Sequence, residues 1–182
     1  MSDMISKIFQ PIYGKPCWQV QQGYGSFLTL EFGDPHLHIR EPRQASEQAT
    51  EKVRKNAARR SVYVHGDWHL WIYICDWRIY LKDQELADNT SNRRTIKKAI
   101  VALDGQALTK VTVNQALKSI FEFDLGCRLE VFPNYDDFDK TVDLWLLYEP
   151  SGCVFTLRAD GYYDHNPGNT SPEDYKWEQL EG

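Results

Sequence analysis

The sequence predicts a mainly β fold of the α+β kind: an antiparallel β-sandwich or partly open barrel of about ten or eleven short strands, with one amphipathic helix. Three features predict it. Short runs alternate apolar and polar residues, as strands with one buried face do. Turn residues close each run. Only one segment carries apolar residues at helical spacing together with start and stop signals.

The most strand-like stretch runs from Lys118 to Tyr163. Phe121, Phe123 and Leu125 alternate with Glu122 and Asp124, and Cys127, Leu129 and Val131 repeat the pattern against Arg128 and Glu130. The short step at Leu125-Gly126 calls for a bulge or tight turn. Val142 to Tyr148 is apolar on both faces after Asp143, which suits a central strand. Glu149-Pro150-Ser151-Gly152 fits a type I turn, so Cys153, Phe155 and Leu157 should return antiparallel to Trp145 and Leu147.

Toward the N-terminus, Cys17–Gln22 and Ser26–Phe32 read as strands, and Leu37 and Ile39 begin a third after Gly33-Asp34-Pro35. Gly23-x-Gly25 is no dinucleotide fingerprint, because the third glycine is missing and a strand follows it. Residues 42–60 read as a basic insertion or surface helix, with Ala45, Ala49, Val53 and Ala57 four apart. Ser61 to Leu81 is rich in aromatics. His65-Gly66-Asp67-Trp68 reads as a two-residue hairpin turn, which places His65 and His69 on opposite faces. Leu70 to Cys75 is apolar on both faces and reads as a second central strand, interrupted at Asp76. Ser91 or Asn92 caps a helix carrying Ile96, Ala99, Ile100 and Leu103, and Asp104-Gly105 ends it. Leu108, Val111 and Val113 mark a further strand, and residues 164–182 read as an acidic tail pinned by Tyr175 and Trp177.

Composition narrows the function. At 182 residues the chain suits one β-rich domain, and its net charge of −5 disfavours nucleic acid as a partner. Residues 130–182 hold twelve acids and three bases, whereas residues 1–129 hold fourteen acids and eighteen bases. No run approaches the ~18 apolar residues of a membrane helix, and MSDMISKIFQPIYGKP lacks the apolar centre of a signal peptide. Cys17, Cys75, Cys127 and Cys153 are widely spaced, with no CxxC, and read as reduced thiols of a cytoplasmic protein.

Three groups of residues carry candidate chemistry. His36 and His38 share a strand face about 7 Å apart, and with Glu41 they form a candidate metal site, a fragment of a cupin pattern; the alternative is a pair of surface histidines after a turn. Arg93 and Arg94 begin the helix, where cations oppose the helix dipole; they form an anion site or pair with Asp83, Glu85 or Asp88. Tyr135, Asp136, Asp137, Phe138 and Asp139 form either a solvated turn or an acidic docking surface with aromatic anchors. No GxSxG or Cys–His motif and no phosphate loop is present, so no catalytic residue and no cofactor is assigned.

Phe123-Asp124-Leu125-Gly126, Trp145-x-Leu147-Tyr148-x-Pro150-x-Gly152 and Asp160-Gly161-x-Tyr163 resemble small bacterial β-rich proteins of unknown function, some of them similar to immunity proteins of toxin systems. The resemblance implies no catalysis and a stoichiometric partner. The expected function is therefore non-enzymatic protein binding by a monomer or homodimer, with neutralisation of a basic toxin through the acidic surface as its expected form. The alternative is a small metal-dependent enzyme on a cupin-like barrel using His36 and His38.

Overall fold

The computed structural model describes residues 2–134 and 140–180. It is mainly β, and among the described residues it has 14 strands in three antiparallel sheets and 3 α-helices. The strands not expected are Gln84–Asp88, Tyr162–Pro167 and Glu178–Gln179, polar segments without a clear alternation; of the helices, Ser2–Phe9 is not expected, whereas Glu51–Ala57 lies within the stretch read as a basic insertion or surface helix.

The helix α1 (Ser2–Phe9) opens the chain and runs into a short 3₁₀ turn, Gln10–Ile12. Ile5, Phe9 and Ile12 fall three or four apart and are fully buried, so they form one helical stripe. The strands β1 (Cys17–Gln22), β2 (Leu28–Phe32) and β3 (His36–Arg40) follow, then α2 (Glu51–Ala57), capped by the Thr50 side chain on the N–H of Val53. Next come β4 (Ser61–His65), β5 (Trp68–Ile72), β6 (Asp76–Leu81) and β7 (Gln84–Asp88). The helix α3 (Arg93–Leu103) is capped by Asn92, whose side chain accepts from the N–H groups of Arg94 and Thr95. The chain continues through β8 (Leu108–Val113), β9 (Ser119–Phe123), β10 (Cys127–Phe132), β11 (Asp143–Tyr148), β12 (Cys153–Arg158), β13 (Tyr162–Pro167) and β14 (Glu178–Gln179).

A seven-stranded sheet has the order β1-β2-β5-β11-β12-β13-β14, and a five-stranded sheet the order β7-β6-β10-β9-β8. Their apolar faces enclose one core with α1 wedged at the contact. Phe9 meets Phe121 of β9 and Trp145 of β11 edge-on at 5.7 and 5.6 Å between ring centroids. The Trp145 Nε1–H donates to Ser119 Oγ at 2.9 Å, a buried polar link between the sheets. Ile96, Ala99, Ile100 and Leu103 of α3 join the same core, as their spacing predicts.

The turn at Pro150 is as expected. Trp145 pairs with Leu157 and Leu147 with Phe155, and the Gly152 N–H donates to Glu149 O at 3.0 Å. The Leu125-Gly126 step is a tight turn between paired strands, with Gly126 at φ +91°. The second central strand stops at Ile72, and Tyr73–Cys75 carry the chain from one sheet to the other, where Cys75 Sγ donates to Leu144 O. The stretch expected as a tail joins the body: its first residues belong to β13, Glu178 pairs with Tyr163, and Arg158 stacks over Trp177 at 4.3 Å.

One departure positions the candidate site. His65-Gly66-Asp67-Trp68 is not a hairpin turn. β4 pairs with β3, and β5 pairs with β2 and β11. β2–β3 and β4–β5 are thus the two arms of one long bent ribbon, with the bend at Gly33-Asp34-Pro35 on one arm and Gly66-Asp67 on the other. The arms lock together there, since Asp34 N–H donates to Asp67 Oδ2 at 2.9 Å. A Cβ on Gly66 would collide with Phe32 O and lie 2.8 Å from Phe32 N, so this position admits only glycine.

Candidate functional site

The bend brings the face of β3–β4 that carries histidines over the outer face of the large sheet. Register sets both surfaces. On the ribbon, His36 pairs with His65 and His38 with Tyr63; on the sheet, Glu31 pairs with His69, and His69 with Tyr148. Strand side chains alternate, so Leu30, Leu70 and Leu147 point into the core while Glu31, His69 and Tyr148 face outward. Between ribbon and sheet lies a cleft of about 580 Å³, whose walls include His36, His38, His65, His69, Trp71 and Tyr148. Asp67 and Glu149 also line it, and no lysine or arginine does among the described residues.

Glu31 lies behind His65 and His69 at 2 % exposure. Its Oε1 lies 3.0 Å from His65 Nδ1 and 2.7 Å from His69 Nδ1, while Oε2 accepts the Gly66 N–H at 2.9 Å. Burial by itself would raise the Glu31 carboxyl. The hydrogen bond and charge of His69, the Gly66 N–H and the His65 hydrogen bond outweigh it and hold the group below its usual range. An ionised carboxylate only accepts, so each ring donates to it through Nδ1. The rings of His65 and His69 lie 4.8 Å apart between centroids, and His69 lies 5.5 Å from Tyr148. Burial first, and then the charges of Tyr175, Asp143 and Tyr73, push the Tyr148 phenol up, so it stays a protonated donor.

His36 and His38 line this cleft, so the sequence motif and the cleft coincide in part. Glu41 does not join them: its carboxylate is bound by Arg60, with Nε at 2.9 and 3.0 Å. The acid that meets histidines of the cleft is Glu31, bound to His65 and His69. The expectation that His65 and His69 face apart is overturned, because it rested on a hairpin that the ribbon bend replaces. His165 does not line the cleft, but its Nε2 lies 2.9 Å from Oε1 of Glu149, which does.

Arg93 and Arg94 lie exposed in the first turn of α3, and no ion pair to either occurs among the described residues. Asp88 instead accepts from Thr90 and Ser91. Tyr135, Asp136, Asp137, Phe138 and Asp139 lie outside the described residues.

No family model matches the chain, and neither a curated protein nor a solved structure matches it. The likeness to immunity proteins stays an expectation from the sequence. No helix among the described residues is long and apolar enough to cross a membrane.

Proposed function

We propose that this chain binds a small cationic ligand in the cleft between the bent ribbon and the large sheet. One observation carries the reading: carboxylates and imidazoles line the cleft, a buried carboxylate backs two of the imidazoles, and neither lysine nor arginine lines it among the described residues. Such a lining attracts positive charge and repels anions. Trp71 and Tyr148 add π-faces, which favour a cation further. The cleft volume suits a small molecule or a hydrated ion rather than a peptide segment.

The test is a competition on chelator-treated, tag-free protein, followed through the side-chain NMR signals of Trp71, His65 and His69. The probes are tetramethylammonium, guanidinium, Zn²⁺ and, as anions, sulfate and phosphate. Saturable shifts with one or more cations and none with the anions support the reading. Anions that saturate these signals while the cations leave them still overturn it.

A second reading, protein binding, is favoured by the other face of the ribbon. Leu37, Ile39, Val62 and Val64 form one aliphatic face and are 65, 52, 54 and 39 % exposed. An isolated two-stranded ribbon is only marginally stable, so such a face gains from being covered. Residues 41–60, which join the two strands, hold six bases and three acids, so the partner on this reading is an acidic protein with an apolar patch. Binding between purified components that weakens with salt and is lost in Ile39→Lys supports it. A purified chain that instead self-associates through the same residues contradicts it.

A further inference from the structure

We propose that Glu31, His65 and His69 hold a divalent transition-metal ion through Glu31 Oε1 and the two Nδ1 atoms, with its remaining positions open to the cleft. This rests on reading the cleft as a cation site and names the cation.

Two imidazoles and one carboxylate suit Zn²⁺, Fe²⁺, Co²⁺ or Ni²⁺, and suit Mg²⁺ and Ca²⁺ poorly, since those take oxygen ligands. One ligand atom from each residue lies within 4.8 Å of the others. The present separations of 2.7 and 3.0 Å from Oε1 are those of hydrogen bonds. Bonds of about 2.0–2.2 Å in a tetrahedral site space neighbouring ligands by roughly 3.3 Å. Moving Oε1 away from each Nδ1 by about half an ångström therefore admits an ion among the three atoms, in the space that the two N–H hydrogens now fill.

The backbone already prepares that point. Glu31 and His69 are cross-strand partners on β2 and β5, so their spacing is set by the sheet. His65 arrives from the other side of the Gly66 corner. The Gly66 N–H fixes Oε2 and thereby aims Oε1 at the histidines, the role that supporting hydrogen bonds play around metals. Binding requires each Nδ1 to give up its proton to water, so that each ring holds the metal as a neutral imidazole with its proton on Nε2. His36 and His38 line the cleft from the ribbon without supplying the ligands.

The experiment titrates Zn²⁺ and Co²⁺ alone into tag-free, chelator-stripped protein by calorimetry. A single one-to-one site is expected. His69→Ala and Glu31→Gln should each weaken binding at least about tenfold, in keeping with loss of a group on which the metal depends. The double variant His36→Ala/His38→Ala, and His165→Ala, should keep the one-to-one site. Glu31→Gln could fail to fold, so a second readout uses unsubstituted protein: Zn²⁺ should move the ¹⁵N signals of His65 and His69 at Nδ1. Nδ1 signals that keep their protons while Nε2 becomes the metal-bound nitrogen, or equal loss of binding in His36→Ala/His38→Ala, overturn the site. If the metals do not bind while tetramethylammonium or guanidinium does, the metal proposal fails and the cation-binding reading survives. If no cation binds, both fail.

Discussion

His69 on β5 lies directly opposite Glu31 on β2, and its Nδ1 approaches Glu31 Oε1 to 2.7 Å. A buried carboxylate keeps its charge only with such partners. His69→Leu should therefore destabilise the metal-free protein by about 1–3 kcal/mol, because it leaves the carboxylate short of a donor. Glu31→Leu combined with His69→Leu should cost less than the sum of the single changes, with a coupling of about 0.5–3 kcal/mol. Urea unfolding of the four proteins at pH 7 measures this. Additive costs would mean that the pair is not coupled.

The ribbon bend depends on Gly66. Its Cβ position is occupied by the Phe32 backbone, which cannot move without disturbing β2. Gly66→Ala should remove the His65 contact to Glu31 and lower stability by more than about 2 kcal/mol, as an overpacked site does. Gly25→Ala is the comparison. There φ is +61° and nothing lies within 4 Å, so only the left-handed backbone penalty of about 1–2 kcal/mol applies. Thermal melts that rank Gly25→Ala as the worse change would contradict the locked bend.

How much of this was legible follows from which interactions are local. The hairpin around Pro150 and the helix from Arg93 to Leu103 were readable because turn chemistry, capping and periodicity act within a few residues. Glu31 alternates with Leu30 and Phe32, so its outward direction could be read, and so could that of His69. Their pairing could not: β2 and β5 are joined through β3, α2 and β4, and no local rule sets that register. Gly66-Asp67 carries the residue types of a tight hairpin turn, while its true role is a bend imposed by contact with Phe32. The stripe of Ile5, Phe9 and Ile12 was a readable signal for α1, but it is too short to stand without the core that it fills.

Phe9 tests that dependence. It touches Phe121 and Trp145 and is fully buried, so Phe9→Ala should cost about 3–5 kcal/mol. Hydrogen exchange should then quicken in α1 and in β8, the strand it packs against. A loss below about 1 kcal/mol would show that α1 is an appendage rather than part of the core.

The thiols give an independent check of burial. Burial, with the charge of Asp104, pushes the Cys17 thiol up to about 12, and burial, with the charge of Asp76, pushes Cys75 up as well. Cys127 is also buried and raised. At pH 8 a thiol reagent should modify Cys153 in the native protein and reach the others only on unfolding. Mass spectrometry that finds Cys17 or Cys75 modified first would contradict the packing of the core.

The most direct test of the central claim is anomalous diffraction from crystals of the protein bound to Zn²⁺, collected on both sides of the zinc edge. The account predicts one strong peak within about 2.0–2.2 Å of Glu31 Oε1, His65 Nδ1 and His69 Nδ1. A peak on His36 and His38 alone, or none in the cleft, would contradict it.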